Sequence, residues 1–125
     1  MNVAKIHLTL GILWLLGGMA LGEHMGRTGD HGQMPTHAHI MLVGGVLPVL
    51  WAIINRVWNI GNGLFAWIQL VLHHGATALM VYGLYMLYAG GNEAELGPLL
   101  GISAGLVMLA TLIMLVLAFR GKAEA

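Results

Sequence analysis

Histidine is the residue type most able to carry chemistry here, because seven histidines stand among very few other polar side chains. His37 and His39 lie two positions apart at the start of an apolar segment. Each residue turns an α-helix by about 100°, so their rings point about 200° apart and cannot easily ligate one metal. The pair therefore predicts a helix placed between two sites. The alternative is a polar histidine pair at the membrane surface.

The segment that follows this pair contains residues that disturb a regular helix. Pro48 cannot donate a hydrogen bond to the Gly44 carbonyl, so we expect a kink near Gly44, Gly45 and Pro48. The two glycines also leave space beside one helix face. We expect that a flat macrocycle could occupy this space.

A second histidine pair, His73 and His74, lies inside a later apolar segment. An ionisable residue at that depth in a membrane indicates function by default, because it is costly when it has no partner. Gln69, His73 and Thr77 follow one another at intervals of four and form a polar stripe, while His74 points about 100° away. We expect at least one of the pair to be a metal ligand or a proton relay. The alternative is that His73 bonds to Gln69 or Thr77 and fixes helix packing.

The remaining histidines carry weaker expectations. His7 precedes most of the first apolar segment, and we expect it to lie at the membrane interface and cap the helix bundle. Histidines and methionines share one loop, as His24, Met25, His31 and Met34. Imidazole with thioether suits copper, particularly Cu(I), but solvated loop histidines are the alternative.

Composition places the chain in a membrane. Of its 125 residues, 58% are hydrophobic and 8% are charged, whereas soluble domains average about 45–50% and about 25%. Five basic residues balance five acidic ones without a basic cluster, so nucleic acid is not an expected partner. No cysteine is present, which excludes thiolate metal sites and covalent haem attachment through cysteine. The single serine and the lack of a phosphate loop give no sign of hydrolysis or phosphoryl transfer.

Four segments are long and apolar enough to cross a bilayer: 4–22, 36–58, 64–89 and 98–119. We therefore predict an all-α integral membrane protein, a single domain over 1–125 whose four helices form an up-down bundle. The first span has features of a signal peptide, and we expect it to be retained as a true span. The small-residue pairs Gly18–Gly22 and Gly101–Gly105 are typical of tight helix packing in lipid.

Basic residues are unevenly divided between the two predicted sides of the membrane. Lys5, Arg56, Arg120 and Lys122 fall on one side, and Arg27 alone falls on the other. By the positive-inside rule, both termini are predicted to be cytoplasmic, with the loops 23–35 and 90–97 outside.

The segment from His37-Ala38-His39 to Gly44-Gly45 resembles the heme-copper oxidase superfamily, and more closely its nitric oxide reductase branch. It is also similar to small four-span relatives of the catalytic subunit. That likeness runs through Gly17-Gly18-Met19, Met25-Gly26, Met34 to His39, and Arg56-Val57-Trp58. The chain then resembles one four-helix arc of the catalytic subunit, so a homo-oligomer, with a trimer plausible, would rebuild the ring of arcs.

The resemblance implies a haem b protein of a bacterial-type inner membrane. Its haem would be held between chains by His37 and His39, with His73 or His74 as the partner if ligation is within one chain. Arg27 would neutralise the haem propionates at the outer face. Electron transfer to a redox partner protein, or chemistry on O2 or NO, would follow, and an oxidoreductase activity stays open. The mid-membrane depth of His73 and His74 departs from the family's copper-binding pair, so the resemblance implies haem more strongly than a haem–copper centre.

Two other functions remain as alternatives. The first is a copper-binding or copper-transfer membrane protein that uses the four loop ligands named above together with His73 and His74. The second is a structural subunit of a respiratory complex, in which every histidine only satisfies neighbouring groups.

Overall fold

The computed structural model describes residues 1–123, and within that range it consists of helices joined by short turns, with no strand. Its helices are α1 (Val3–Thr28), α2 (Met34–His39), a π-helical segment (Ile40–Val46), α3 (Leu47–Val57), α4 (Leu64–Tyr88) and α5 (Glu93–Arg120). The second, third and fourth of these follow one another without a break and act as one rod, which we call the second helix. Four helices are thus long and apolar enough to cross a membrane. This confirms the prediction of an all-α chain with four candidate spans, and of the predicted domain only residues 124 and 125 lie outside the description.

Two helices extend beyond the predicted spans, because the prediction followed apolar residues and these helices end in polar ones. Helix α1 continues to Thr28 and stops at Gly29, which has φ 74° and donates its N–H to the Met25 carbonyl at 2.9 Å. Helix α5 begins at Glu93, where the Asn92 side chain accepts a hydrogen bond from the Ala94 N–H at 2.9 Å. The last turns of α1 and the first turn of α5 are helical without being mainly apolar, and capping groups set where they end, so hydropathy misses them.

The predicted irregularity of the second helix takes the form of π-helical turns. The Leu47 N–H donates to the Leu42 carbonyl, five residues back. In this pattern the Val43 carbonyl would receive its hydrogen bond from residue 48, but Pro48 has no N–H. Val43 is therefore left with a carbonyl that no N–H of its own helix satisfies.

Glycines let α1 and the second helix approach closely. A Cβ at Gly11 would lie 3.0 Å from the Gly45 carbonyl oxygen, and one at Gly44 would lie 2.8 Å from the Trp14 ring. Leu15 of α1 fills the space beside Gly45 in the same way. The space that we expected for a flat macrocycle is thus occupied by side chains of α1.

The two predicted small-residue pairs behave differently. Gly18 faces Met41 and Ile40 of the second helix, so the Gly18–Gly22 pair is a packing surface inside the chain. A Cβ at Gly101 or Gly105 would meet no atom of the described residues within 4 Å. Helix α5 packs against α4 and leaves this other face uncovered.

Hydrogen bonds at the helix ends show which termini lie together. The Val3 N–H donates to Asn62 Oδ1 at 2.8 Å, and Asn59 Nδ2 donates to the Lys122 carbonyl at 3.0 Å. The start of α1, the turn before α4 and the end of α5 therefore meet at one end of the molecule. At another point, Gln33 Nε2, just before α2, donates to the Tyr85 carbonyl near the end of α4 at 3.0 Å.

Candidate functional site

The outer histidine pair, His37 and His39, has both rings held by backbone carbonyls. His37 Nδ1 lies 2.8 Å from the Gly18 carbonyl oxygen, and His39 Nδ1 lies 2.7 Å from the Pro35 carbonyl oxygen. A carbonyl can only accept, so each Nδ1 carries the hydrogen and donates it. In a neutral ring this leaves Nε2 with a free lone pair. Neither Nε2 has a hydrogen-bond partner among residues 1–123.

Helix α1 shapes the position of the His37 ring. A Cβ at Gly22 would lie 2.8 Å from His37 Cε1 and 3.3 Å from its Nδ1, so the ring rests directly against the glycine backbone. Gly18, one turn earlier, supplies the carbonyl that the ring donates to. The small-residue pair of α1 is thus part of the histidine site. Both His37 and His39 remain partly exposed.

A second group of rings, which we call the inner cluster, consists of His7, His73 and His74. The ring centroids are 5.1 Å apart for His7 and His74, 5.3 Å for His73 and His74, and 6.3 Å for His7 and His73. His7 and His73 are completely buried. His7 therefore lies inside the helix bundle, whereas we expected it to cap the bundle.

The burial of His7 follows from how α1 packs against α4. Val3, at the first turn of α1, lies in an apolar cluster with Ala66 and Leu70 of α4. His7 is one turn further along α1, so its ring is placed beside the next turns of α4. The sequence feature that could have indicated this burial is the pair of polar residues Gln69 and His74 in α4. His7 forms hydrogen bonds with both of them.

His7 connects its two polar neighbours into a hydrogen-bonded chain. His7 Nε2 lies 2.8 Å from Gln69 Oε1, and His7 Nδ1 lies 3.1 Å from His74 Nε2. If the amide oxygen accepts from His7, then His74 Nε2 donates to His7 and His74 Nδ1 keeps a lone pair. If the Gln69 amide is instead turned by 180°, its nitrogen donates to His7 Nε2, and His7 Nδ1 donates to His74 Nε2. In either state Gln69 and His74 each keep one buried polar atom without a partner among the described residues.

His73 has both of its ring nitrogens engaged. The Trp51 Nε1–H donates to His73 Nδ1 at 3.2 Å, and His73 Nε2 donates to the Val43 carbonyl at 2.8 Å. This carbonyl is the one that Pro48 leaves free. Thr77, one of the expected partners, instead donates its hydroxyl to the His73 backbone carbonyl at 2.7 Å. Trp51 and Val43 were not among the residues singled out from the sequence.

Arg27 lies in the last turn of α1 and pairs with Glu23. Its Nε is 3.0 Å from Glu23 Oε1, and both side chains are about two-thirds exposed, at 64% and 65%. The four expected copper ligands are placed differently from one another: Met25 is buried in α1, Met34 is exposed at the start of α2, and His31 Nδ1 bonds to the Gly29 carbonyl at 3.1 Å. Within residues 1–123, no group of three or more His, Asp or Glu side chains is placed to hold a metal ion.

The four predicted site histidines thus fall into two groups. His73 and His74 belong to the inner cluster with His7. His37 and His39 lie near the start of the second helix, and each bonds to a backbone carbonyl. Comparison of the chain with protein-family models, with curated proteins and with solved structures gives no match. The assignment of a function therefore depends on the geometry of these two groups.

Proposed function

We propose that this protein binds haem b in the membrane through Nε2 of His37 and of His39. The observation that supports this proposal is the state of the two rings. Each Nδ1–H is donated to a backbone carbonyl, and each Nε2 is left with a lone pair and no partner in the described chain. A ligating histidine typically has this arrangement, because the bond at Nδ1 selects the tautomer, orients the ring and raises the basicity of Nε2.

The proposal places the haem between copies of the chain. His37 and His39 are two positions apart on a helix, so one chain presents one ring to each of two neighbours. His73 is a poor candidate for the second ligand, because Trp51 and the Val43 carbonyl use both of its ring nitrogens. His74 is a poor candidate as well, because its Nε2 bonds to His7 and its Nδ1 is buried inside the described chain. A haem held by two of the proposed histidine ligands then needs a second copy of the chain, and a closed ring such as a trimer is consistent with this. The resemblance to one arc of the heme-copper oxidase catalytic subunit supports the same arrangement.

Haem with two histidine ligands supplies reversible one-electron transfer, and haem with one open position supplies binding of a diatomic gas such as O2 or NO. The chain's own residues orient the ligands, exclude water and neutralise charge. The carbonyls of Gly18 and Pro35 hold the two imidazole rings, and the apolar surface of the helices excludes water. Arg27 would neutralise a haem propionate in place of its exposed partner Glu23.

We further propose that the chain is an up-down bundle in a bacterial-type inner membrane with both termini in the cytoplasm. Support comes from the hydrogen bonds that gather the start of α1, the turn before α4 and the end of α5 at one end. Lys5, Arg120 and Lys122 lie in or next to these parts of the chain, and Arg56 lies in the last turn of α3, just before the turn. Such an excess of basic residues marks the cytoplasmic side.

The test is an absorption spectrum of the protein purified in detergent from cells supplied with a haem precursor, oxidised and then reduced with dithionite. We expect a Soret band and a sharp reduced α band. His37→Ala and His39→Ala should each lower the haem content at least tenfold, since each removes an axial ligand. The matched controls are His24→Ala, near the end of α1, and His31→Ala, in the loop after it. They remove histidines outside both groups and should leave the haem content unchanged. A featureless spectrum, or full haem retention in His39→Ala, contradicts the proposal, and copper stoichiometry without haem absorption would favour a copper protein.

A second candidate is a structural subunit of a respiratory complex. The ring of His73 favours this candidate. Its two nitrogens bond to Trp51 and to the Val43 carbonyl, so the ring joins the second helix to α4 and has no nitrogen free for a ligand. Co-purification with larger partners, and an isolated chain that carries no cofactor, would support it over haem binding.

A further inference from the structure

A groove of about 370 Å³ lies on the surface between α1 and α3. Its floor is made of two small buried residues, Ala4 and Ala52, and its walls are the exposed apolar side chains of Leu8, Ile53 and Val57. The groove exists because alanine on both helices leaves a channel where larger side chains would have met. Its volume lies within the range of about 300–1,000 Å³ that is usual for small-ligand sites.

Two basic side chains, Lys5 and Arg56, also line this groove. Both are exposed, and neither forms an ion pair with an acidic side chain in the part of the chain that the structure describes. An anion held in the channel would be attracted by both positive charges. A guanidinium presents paired donors that match phosphate oxygens, and the lysine ammonium adds a second, mobile charge.

We propose that this groove binds an anionic phospholipid, with an acyl chain along the apolar floor and the phosphate between Lys5 and Arg56. The combination of an acyl-sized apolar channel with two uncompensated cations at one site selects an amphiphile with a negative headgroup. Basic pockets between membrane helices bind anionic lipid headgroups in this way. The site lies on the face formed by the first turns of α1 and the last turns of α3. It is independent of the haem proposal.

The experiment is native mass spectrometry of the full chain in detergent, titrated with phosphatidylglycerol and, separately, with phosphatidylcholine of the same acyl chains. We expect phosphatidylglycerol to bind more tightly to the unaltered protein. Lys5→Gln/Arg56→Gln should weaken its binding about twenty-five-fold, since each basic side chain beside an anionic lipid contributes about fivefold. The matched control Arg120→Gln/Lys122→Gln removes the same charge from the same end of the molecule and should retain the affinity.

Three outcomes would overturn the proposal. Equal binding of the two lipids by the unaltered protein would show that the headgroup is not recognised, even if the double variant fails to fold. An equal loss of affinity in the double variant and in the Arg120→Gln/Lys122→Gln control would show a general charge effect. Displacement of phosphatidylglycerol by millimolar inorganic phosphate would show that the cations bind a free anion and that the groove holds no acyl chain.

Discussion

His73 joins α4 to the second helix through two hydrogen bonds, and its substitution allows a quantitative test. His73→Phe keeps an aromatic ring but leaves the Trp51 N–H and the Val43 carbonyl without partners. A hydrogen bond between membrane helices contributes about 0.6 kcal/mol on average and up to about 1.7 kcal/mol. The loss of both bonds should therefore lower the free energy of unfolding by about 1–3 kcal/mol. Trp51→Phe removes one bond and should cost about 1 kcal/mol.

The two substitutions share the Trp51–His73 bond, so a double-mutant cycle isolates it. We expect the effects of His73→Phe and Trp51→Phe to be less than additive, with a coupling of about 0.6–1.7 kcal/mol. The assay is unfolding of the purified protein in mixed micelles by added SDS, followed by far-ultraviolet circular dichroism. Trp67→Phe is the matched control, because Trp67 is also in α4 but is 37% exposed, and it should change stability by less than about 0.5 kcal/mol.

The same variants separate a structural role of His73 from ligation. His73→Phe should retain the haem content of the unaltered protein after correction for the folded fraction. A coupling of zero would refute the assigned hydrogen bond. Loss of haem without loss of stability would refute the conclusion that Trp51 and Val43 occupy both nitrogens of His73.

Two further predictions concern α1. Gly22→Ala places a Cβ 2.8 Å from His37 Cε1, so it should displace the ring and weaken haem binding about 10–100-fold in a haem titration, as loss of a ligand's supporting contacts commonly does. Gly26→Ala meets no atom within 4 Å and should leave the affinity unchanged; an equal effect of the two would argue against the role of Gly22. Arg27→Gln removes an exposed ion pair with Glu23 and should change stability by less than about 0.5 kcal/mol in the SDS assay. A larger loss would mean that Arg27 has a partner beyond Glu23.

The four spans could be predicted from the sequence because lipid imposes a simple condition. A bilayer accepts only long apolar segments whose backbone is satisfied internally, and the order of residues shows this directly. The predicted spans 64–89 and 36–58 match α4 and the second helix within two residues. The ends of α1 and α5 were missed because Glu23 to Thr28 and Glu93 to Gly97 are polar yet helical. Side-chain caps and a left-handed glycine set those ends, and hydropathy does not report them.

The histidines show most clearly which properties follow from the sequence and which follow from the packing of the helices. Their number, their adjacency and the angle between His37 and His39 are properties of the sequence and of helix geometry. The burial of His7 and the donors and acceptors of each ring are not, because they depend on contacts between helices. Pro48 frees the Val43 carbonyl by a local rule, but the group that bonds to it, His73, lies thirty residues away in the chain. Similarly, the Nδ1 atom of His37 finds its acceptor, Gly18, only where α1 packs against the second helix. The sequence by itself thus determined which residues can act and on which helices they lie, and the packing of the helices decided which ring nitrogens are engaged and which are free.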